Sequence, residues 1–411
     1  MLKVYVCGPT VYNDVHIGNL RPIVTMDLML KSARAIGLKF NFIHNITDID
    51  DKIINRAIQE KKTEKEISEY YANQYLELLE KFNVDTITKI EYVTENMQEI
   101  EKTISRIVRF GYAYPDDKGN VWYNVFKSKR VYGKVSNQNI ENMVYEDQNY
   151  DKHHPADFAI WKATNMGVKY QTQFGEGRPG WHTECAAIID KHFRGRGVDI
   201  HGGGMDLTFP HHENENIQFW AANERMMISK KWIRTGQINL QGEKMSKSLQ
   251  NVILAKDFIK EHHPDVLKMI FLLSSLTGTI NIDEAIFENV KAIFRKIKKI
   301  YFTNHILNLK TIPNLKHDEQ IFDRMLYSVF NTHFAEFNKD LNEMIKKINL
   351  NQDPVLITTL VEVIDILGFS FKDFDYEAYR PIYNEWKHLM NIKDYENADR
   401  KRAILMDKGL I

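Results

Sequence analysis

The sequence predicts an α/β fold, in which a parallel β-sheet carries an inserted subdomain and is followed by a domain of α-helices. Three observations lead to this prediction. The first 44 residues follow a strand–helix–strand pattern, which is the unit from which parallel sheets are built. A later strand at residues 198–200 is followed by the triple glycine at 202–204. From about Glu284 onward the pattern is almost wholly helical, with few glycines or prolines.

The opening unit has clear boundaries. Residues 3–7 form an apolar strand that Gly8 interrupts. Apolar side chains then recur at helical spacing between Leu20 and Leu28, and Gly37 stops the helix. Residues 39–44 alternate apolar and polar side chains, which is typical of a second strand. We therefore expect ligands to bind at the carboxyl ends of these strands.

The middle of the chain predicts two long helices and a hairpin. Residues 53–82 and 91–110 are polar and helical in period. Two β-prone runs, 111–114 and 121–123, flank a turn at 116–120 that is rich in Asp, Gly and Asn. We expect residues 85–170 to be an insertion between two halves of the sheet, which resumes with a helix through Cys185.

The length of 411 residues is consistent with about three domains. The predicted boundaries give a sheet domain over residues 1–225, a connecting region over 226–283 and a helical domain over 284–411. The sequence contains no low-complexity linker between them, so we expect the domains to pack closely.

Composition excludes several classes of protein. The 55 Lys and Arg residues balance the 55 Asp and Glu residues, which argues against a protein that coats nucleic acid indiscriminately. No apolar run approaches the ~18 residues of a membrane span, and no signal peptide is visible. Two cysteines cannot form a disulfide framework, so a reducing, cytoplasmic location is expected.

One segment is locally basic despite the zero net charge. Residues 291–310 contain six Lys or Arg residues and no acidic residue. A run of this kind is most often a solvated helix face. The alternative is a ridge that contacts phosphates.

The only two cysteines lie in segments that contain other metal-binding residue types. Cys7 closes the first strand, and Cys185 lies in the predicted helix. His211 and Glu215 are four residues apart, so a helix would direct them to the same side. Two thiolates, an imidazole and a carboxylate form a complete tetrahedral zinc set. Buried core cysteines and an ordinary polar histidine cluster are the alternative, since free cysteine is commonly buried.

Two loops have the composition of phosphate-binding elements. His16 and Gly18 lie between the first strand and its helix, where the helix N-terminus favours anions. Far downstream, residues 243–248 contain Lys244, Lys247 and two serines. Such a loop can stabilise charge that develops on a pyrophosphate leaving group. Each loop by itself is weak evidence, because a loop rich in Lys and Ser is usually a solvated turn.

Together, in this order, the two loops resemble the HIGH and KMSKS motifs of class I aminoacyl-tRNA synthetases. Asn19 stands where the final His of HIGH would be. Further segments narrow the resemblance to the cysteinyl-tRNA synthetase family, and they lie at residues 7–10, 45–52, 180–185, 201–206 and 209–215. The resemblance covers essentially the whole chain. It implies a Rossmann-type catalytic domain with an insertion, a KMSKS-bearing stem-contact region and an α-helical bundle that binds tRNA and ends in a short anticodon-region tail.

The resemblance also implies roles for individual residues. Cys7, Cys185, His211 and Glu215 would be ligands of one Zn²⁺ ion. Thr47 and Trp181 would surround the substrate cysteine. His16 and Asn19 would contact the ATP phosphates, Gly203 and Asp206 would lie beside the adenosine, and Lys247, assisted by Lys244, would stabilise the transferring phosphate.

The implied reaction is the activation of L-cysteine by ATP, with Mg²⁺, and its transfer to tRNA(Cys) by a monomeric enzyme. Zinc prefers soft thiolate ligands, and a site built around one required contact rejects an analogue that lacks it by about 10⁴ or more. We therefore expect serine to be rejected without an editing domain.

Two other functions are compatible with parts of the pattern. The first is a zinc-dependent ligase that transfers cysteine to an amino-sugar and shares the metal and ATP motifs. The basic segment after Tyr383 resembles the tail region of the tRNA enzymes instead. The second is a non-catalytic RNA-binding relative, which the presence of His16, Lys247 and all four ligand residues argues against.

Overall fold

The computed structural model describes residues 1–142, 152–240, 242–245 and 251–411. These residues form two compact units. The first unit consists of the described residues of 1–26, 39–237 and 247–260. The second unit consists of the described residues of 27–38, 238–246 and 261–411.

The described part of the chain contains thirteen strands and fourteen α-helices. The strands are β1 (Leu2–Val6), β2 (Phe40–Ile46), β3 (Lys89–Tyr92), β4 (Ala113–Pro115), β5 (Val121–Tyr123), β6 (Phe158–Ala163), β7 (Tyr170–Thr172), β8 (Gly175–Pro179), β9 (Val198–Gly204), β10 (Ser229–Thr235), β11 (Ile238–Leu240), β12 (Glu243–Lys244) and β13 (Ile280–Ile282). The helices are α1 (Ile17–Ala35), α2 (Asp51–Glu60), α3 (Glu64–Lys81), α4 (Met97–Arg109), α5 (Trp181–Phe193), α6 (Glu213–Ala222), α7 (Ala255–Glu261), α8 (Pro264–Leu273), α9 (Glu284–Ile306), α10 (Glu319–Phe330), α11 (Phe334–Asn351), α12 (Pro354–Ile366), α13 (Arg380–Asn391) and α14 (Tyr395–Asp407).

A five-stranded parallel sheet organises the first unit. Its strand order is β10-β9-β1-β2-β3, and every neighbouring pair is parallel. The central strand β1 is covered on both faces, since Val4, Tyr5 and Val6 are fully buried. The predicted strand–helix–strand opening is confirmed. The later strand extends further than expected, because Gly202–Gly204 belong to β9 instead of following it.

The prediction of two long helices after β2 is wrong in detail. Residues 53–82 form α2 and α3, which are separated where Lys61 adopts a left-handed conformation and Thr63 caps the second helix with Glu66. Residues 89–92 form strand β3, and the helix predicted to begin at 91 begins at Met97. Pairing of β3 with β2 satisfies backbone groups along the sheet edge, and this tertiary gain overrides the local helical pattern.

The inserted subdomain is built on a second, antiparallel sheet. Its order is β4-β5-β6-β8-β7, and the predicted hairpin of β4 and β5 is confirmed. Asp116 organises the turn by accepting hydrogen bonds from the backbone of Asn120 and from Trp122 Nε1, both at 2.8 Å. The antiparallel sheet spans residues 113–179. The insertion was expected at 85–170, but residues 89–92 form β3, which belongs to the parallel sheet.

The second unit is mainly helical and contains a small sheet of order β12-β11-β13. The predicted start of the helical region is confirmed at Glu284, where α9 begins and Asp283 accepts a hydrogen bond from the backbone of Ile286 at 2.9 Å. In the described part of the chain, every helix is too short or too polar to span a membrane.

The buried carboxylate of Glu91 connects the parallel sheet to α5. It accepts hydrogen bonds from Asn96 Nδ2 at 2.7 Å and Lys191 Nζ at 3.0 Å, and it contacts Lys89 and His192. Burial alone would raise the pKa of Glu91, but these bonds lower it to about 2. Because the pKa of Glu91 is lowered in the folded protein, its ionised carboxylate stabilises the fold fully at pH values above its ordinary pKa of 4.5. This stabilisation is lost as the pH falls through about 2.

We predict that Glu91→Gln lowers the free energy of unfolding at pH 7 by about 2 kcal/mol, because the surrounding cations lose their shared anion. Urea unfolding at pH 7 and near pH 2 measures the effect, which should shrink at the lower pH. The control is Glu95→Gln, which changes an exposed acid four residues away. Equal stability of the two variants at pH 7 would contradict the prediction.

Candidate metal centre

The carboxyl edge of the parallel sheet places the first two site residues. Cys7 follows β1 directly, and its backbone N–H donates to Gly202 O of β9 at 3.2 Å. Thr47 follows β2, and its backbone N–H donates to Pro9 O at 3.1 Å. Because β1 lies between β2 and β9, the residues that follow these strands are brought together from distant parts of the sequence.

Two helical segments supply the remaining candidate ligands. Cys185 lies in the second turn of α5 and is 2% exposed. His211 lies in a short wide-turn helix, Thr208–His212, that leads into α6, and Glu215 lies in the first turn of α6. The segment is not one regular helix, yet His211 Nε2 lies 2.6 Å from Glu215 Oε1.

The four side chains converge on one point. One donor atom from each of Cys7, Cys185, His211 and Glu215 lies within 4.8 Å of the other three. The two sulfur atoms are 3.9 Å apart, close to the ~3.8 Å that two ~2.3 Å Zn–S bonds at a tetrahedral angle give. His211 Nε2 lies 3.6 Å from Cys7 Sγ and 3.7 Å from Cys185 Sγ. The donor types, spacing and burial fit a tetrahedral zinc ion.

A second group of possible ligands shares Cys7. It consists of Cys7, His201 and His212. Only the first group contains both cysteines, and His201 Nε2 already lies 2.8 Å from Glu215 Oε2. The His201 ring also stacks on Trp232 at 4.5 Å. These contacts suit His201 to orient the Glu215 carboxylate, as residues behind a metal ligand commonly do.

The electrostatics of the four side chains are strongly coupled. Burial raises the pKa of Cys7. Burial would also raise the pKa of Cys185, but hydrogen bonds with Cys7 and His211 lower it. Burial would lower the pKa of His211, but the attraction of Glu215 raises it to about 10. Binding of a metal through His211 Nε2 therefore requires a proton to leave the cluster, which makes metal affinity fall at low pH.

The candidate substrate residues lie beside this cluster. Trp181 opens α5, is 40% exposed and stacks on the His211 ring at a centroid distance of 4.2 Å. Thr47 is 1% exposed, and its hydroxyl donates to Glu184 Oε2 at 3.0 Å. The same oxygen accepts a hydrogen bond from Asn45 Nδ2 at 3.3 Å, so one lone pair of Thr47 remains to accept another.

Sequence reasoning missed several polar residues that support the cluster. Glu184 is buried beneath Thr47. Asn45 Oδ1 accepts from Tyr5 Oη and from the backbone of Gly8, both at 2.9 Å, and so fixes the turn after β1. Both Asn45 and Glu184 lie in motifs that carried the family resemblance. Their position in these motifs is the only signal in the sequence that could have pointed to them.

The loop predicted at residues 15–19 is shorter than expected, because α1 begins at Ile17 and Gly18 and Asn19 lie in its first turn. The N–H of His16 donates to Asn19 Oδ1 at 3.0 Å, and the N–H of Gly18 donates to His16 Nδ1 at 3.1 Å. His16 also forms a β-bridge with Leu254. The Asn19 side chain therefore caps the N-terminus of α1, which is a position suited to anions.

The predicted adenosine residues lie at the end of β9. Gly203 is buried, and a Cβ atom there would come within 2.8 Å of His212 Nε2. Asp206 is exposed, and its Oδ1 would lie 2.2 Å from a Cβ atom at Gly204. His212 and Asp206 can therefore lie this close to the backbone of β9 only because glycines stand at positions 203 and 204.

The predicted lysine loop is only partly described. Lys244 belongs to β12 in the second unit, where it pairs with Asn239 of β11. Lys247 lies outside the described residues. The proposed roles of both lysines stay predictions from the sequence.

Comparison with known proteins identifies the family. Residues 1–292 match the family described as the tRNA synthetases class I (C) catalytic domain. The chain is 36% identical to the cysteine–tRNA ligase of Mesoplasma florum and 38% identical to that of Malacoplasma penetrans, over its whole length and over 96% and 95% of those proteins. The chain belongs to the cysteine–tRNA ligase family.

Other relatives are consistent with this membership. The chain is 42% identical to the cysteine–tRNA ligase of Mycoplasmopsis pulmonis and spans 66% of that protein. Nothing in these comparisons favours the amino-sugar ligase alternative. Among solved structures, the fold is similar to a leucyl-tRNA synthetase from Agrobacterium radiobacter (TM-score 0.66, 8% identity, covering 89% of this chain and 83% of that one). It is also similar to the methionyl-tRNA synthetase of Mycobacterium tuberculosis (TM-score 0.62, 12% identity, covering 89% and 90%). The predicted class I synthetase fold is confirmed.

We predict that His211→Gln prevents stoichiometric zinc binding, because one of the four candidate ligands is lost. His201→Gln should keep the metal but weaken its affinity about 10- to 100-fold, because only the support of Glu215 is lost. Atomic emission measures the zinc content, and competition with a chromogenic chelator measures the affinity. The reverse result, with zinc retained in His211→Gln and lost in His201→Gln, would assign the metal to Cys7, His201 and His212.

Proposed function

We propose that the protein is a cysteine–tRNA ligase that activates L-cysteine with ATP and transfers it to tRNA(Cys). The observation that supports this most directly is the cluster of Cys7, Cys185, His211 and Glu215 at the carboxyl edge of the sheet, with Thr47 and Trp181 beside it. This edge is where open parallel sheets bind ligands.

The four clustered side chains would hold one Zn²⁺ ion. When bound, zinc would accept the substrate side chain as a thiolate, which serine cannot offer at neutral pH. The chain itself supplies the remaining selectivity. Thr47 would offer its remaining hydroxyl lone pair to a donor such as the substrate ammonium group, and the half-exposed Trp181 ring would close the space above His211.

The ATP site would use the N-terminus of α1 and the segment that contains Lys244 and Lys247. His16 and Asn19 at the helix N-terminus would bind the triphosphate with Mg²⁺. Gly203 and Asp206 would lie along the adenosine. Attack of the cysteine carboxylate on the α-phosphorus forms cysteinyl-adenylate and releases pyrophosphate, whose developing charge Lys247 and Lys244 would stabilise. The tRNA ribose hydroxyl then attacks the adenylate carbonyl.

The domain roles, the location and the assembly state are also part of the proposal. Residues 1–225 would be the catalytic domain, 226–283 the stem-contact region that carries the lysine loop, and 284–411 the tRNA-binding domain. The enzyme would act as a cytoplasmic monomer. These roles rest on family membership and on the helical character of the second unit.

The proposed activity is tested by pyrophosphate exchange and by charging. We predict that cysteine supports ATP–pyrophosphate exchange at least about 10⁴-fold better than serine, because serine cannot supply the required thiolate. We also expect transfer of labelled cysteine to a tRNA(Cys) transcript and none to glucosamine-type acceptors. Exchange without any transfer to tRNA would contradict the proposed function.

A second prediction concerns the lysine loop. Lys247→Ala should slow pyrophosphate exchange by about 10²–10³ while leaving zinc content unchanged, because the leaving group loses a charged donor. The control is Lys230→Ala, which removes an exposed lysine of β10 that pairs with Asp199. Near-normal exchange in Lys247→Ala would show that the loop is not part of the active site.

A further inference from the structure

The helix that carries Glu215 is anchored to the inserted subdomain at its first residue. Glu213 starts α6 and is fully buried. Its Oε2 accepts hydrogen bonds from Val135 N at 3.1 Å, from Ser136 N at 2.7 Å and from Ser136 Oγ at 2.7 Å. No step of the proposed reaction uses Glu213, so this buried contact requires a separate explanation.

Glu213 lies where two helical segments meet. The wide-turn helix Thr208–His212 ends directly before it, and α6 begins with it. Phe209 has an extended backbone conformation inside the first segment, so the two segments do not form one regular helix. The candidate ligands His211 and Glu215 lie on opposite sides of this junction, each two residues from Glu213. The distance between the two ligands therefore depends on how the junction is held.

The turn that receives the Glu213 side chain is held by contacts of its own. Asn137 N donates to Gly133 O at 2.7 Å and closes the turn. Gly133 has a φ of 87°, a conformation that favours glycine. Arg234 Nη2 of β10 donates to Val135 O at 3.1 Å. The backbone N–H groups that bind Glu213 are therefore fixed in position by other parts of the fold.

Burial makes the three hydrogen bonds of Glu213 Oε2 a strong constraint. Movement of Glu213 away from the turn would leave a buried carboxyl oxygen and two backbone N–H groups without partners, and each unpaired group would destabilise the fold. The junction between the two helical segments therefore keeps one position relative to the turn. Polar residues outside the ligand set commonly fix the orientation of metal ligands, and their loss weakens metal binding.

We propose that Glu213 is a positioning residue for the metal centre. By tying the junction to the turn at residues 133–138, it sets the spacing of His211 and Glu215 around the metal. Glu213 acts through the backbone, since its Oε2 binds the turn instead of joining the four candidate ligands. The inference rests on the proposed function for the zinc ion that the cluster would hold.

The test measures the zinc affinity of the full-length protein by competition with a chromogenic chelator. Glu213→Leu removes all three hydrogen bonds and should weaken zinc binding about 10- to 100-fold. Glu213→Gln should keep the affinity within about threefold of the parent, because its amide oxygen can accept the same three bonds. Glu213 Oε1 has no hydrogen-bond partner among the described residues, so the NH₂ group of the glutamine can take that position.

Two further variants test the contact from the inserted subdomain. Ser136→Ala removes one of the three bonds and should weaken zinc binding about 2- to 10-fold. Added to Glu213→Leu, it should cause no further loss, because both changes remove the same contact. The matched control is Tyr123→Phe, which removes the hydroxyl of β5 that donates to Ile217 O of α6 at 2.8 Å. It should lower the thermal stability but change the zinc affinity less than about twofold.

Thermal unfolding of the metal-free proteins separates a loss of folding from a loss of metal binding. Equal zinc affinity in Glu213→Leu and Tyr123→Phe, or a loss in Glu213→Gln as large as in Glu213→Leu, would overturn the inference. If Glu213→Leu does not fold, unchanged zinc affinity in Ser136→Ala would overturn it. A parent protein without stoichiometric zinc would overturn both the metal centre and this inference. Stoichiometric zinc without cysteine-dependent pyrophosphate exchange in the parent would overturn the proposed activity alone.

Discussion

The parallel pairing of β1 with both β2 and β9 is the constraint on which the site depends. Each pairing fixes the register of two segments that are far apart in sequence, and it aligns their carboxyl ends at one edge. Cys7 and Thr47 leave the sheet at this edge, and the glycines of β9 end beside them. A shift of one residue in register would turn every side chain of the shifted strand to the other face of the sheet and would separate the candidate ligands.

Many polar groups are buried at this edge, and several of them contact one another while others, such as His212 Nδ1, have no hydrogen-bond partner. Glu215 is fully buried, yet it contacts His211 at 2.6 Å and His201 at 2.8 Å. Asn45 holds the turn after β1, and Thr47 donates to Glu184. An isolated buried charge would cost several kcal/mol, so these residues are mutually dependent. A divalent cation would offset two of the three negative charges that two thiolates and a carboxylate carry, which is why we interpret the cluster as a metal centre.

The helical unit combines an apolar interior with a basic exterior. Val290, Ile293, Ile297 and Ile300 of α9 are buried, whereas Arg295, Lys296 and Lys299 are exposed. The same helix thus stabilises the unit and presents basic side chains at its surface.

The sequence by itself determined the class of fold, the opening strand–helix–strand unit and the identity of the candidate zinc ligands, because apolar periodicity and rare residue types are local signals. Tertiary structure decided the rest. Residues 89–92 have a helical pattern but form β3, since pairing with β2 satisfies their backbone groups. The roles of Asn45, Glu184 and His201 emerged only from contacts across distant segments. Residues 291–310 form one basic run in the sequence, and only the packing of α9 shows which of its side chains are buried and which, such as Arg295 and Lys296, are exposed. Contacts between residues far apart in the chain depend on which surfaces the fold buries, and no local pattern encodes that choice.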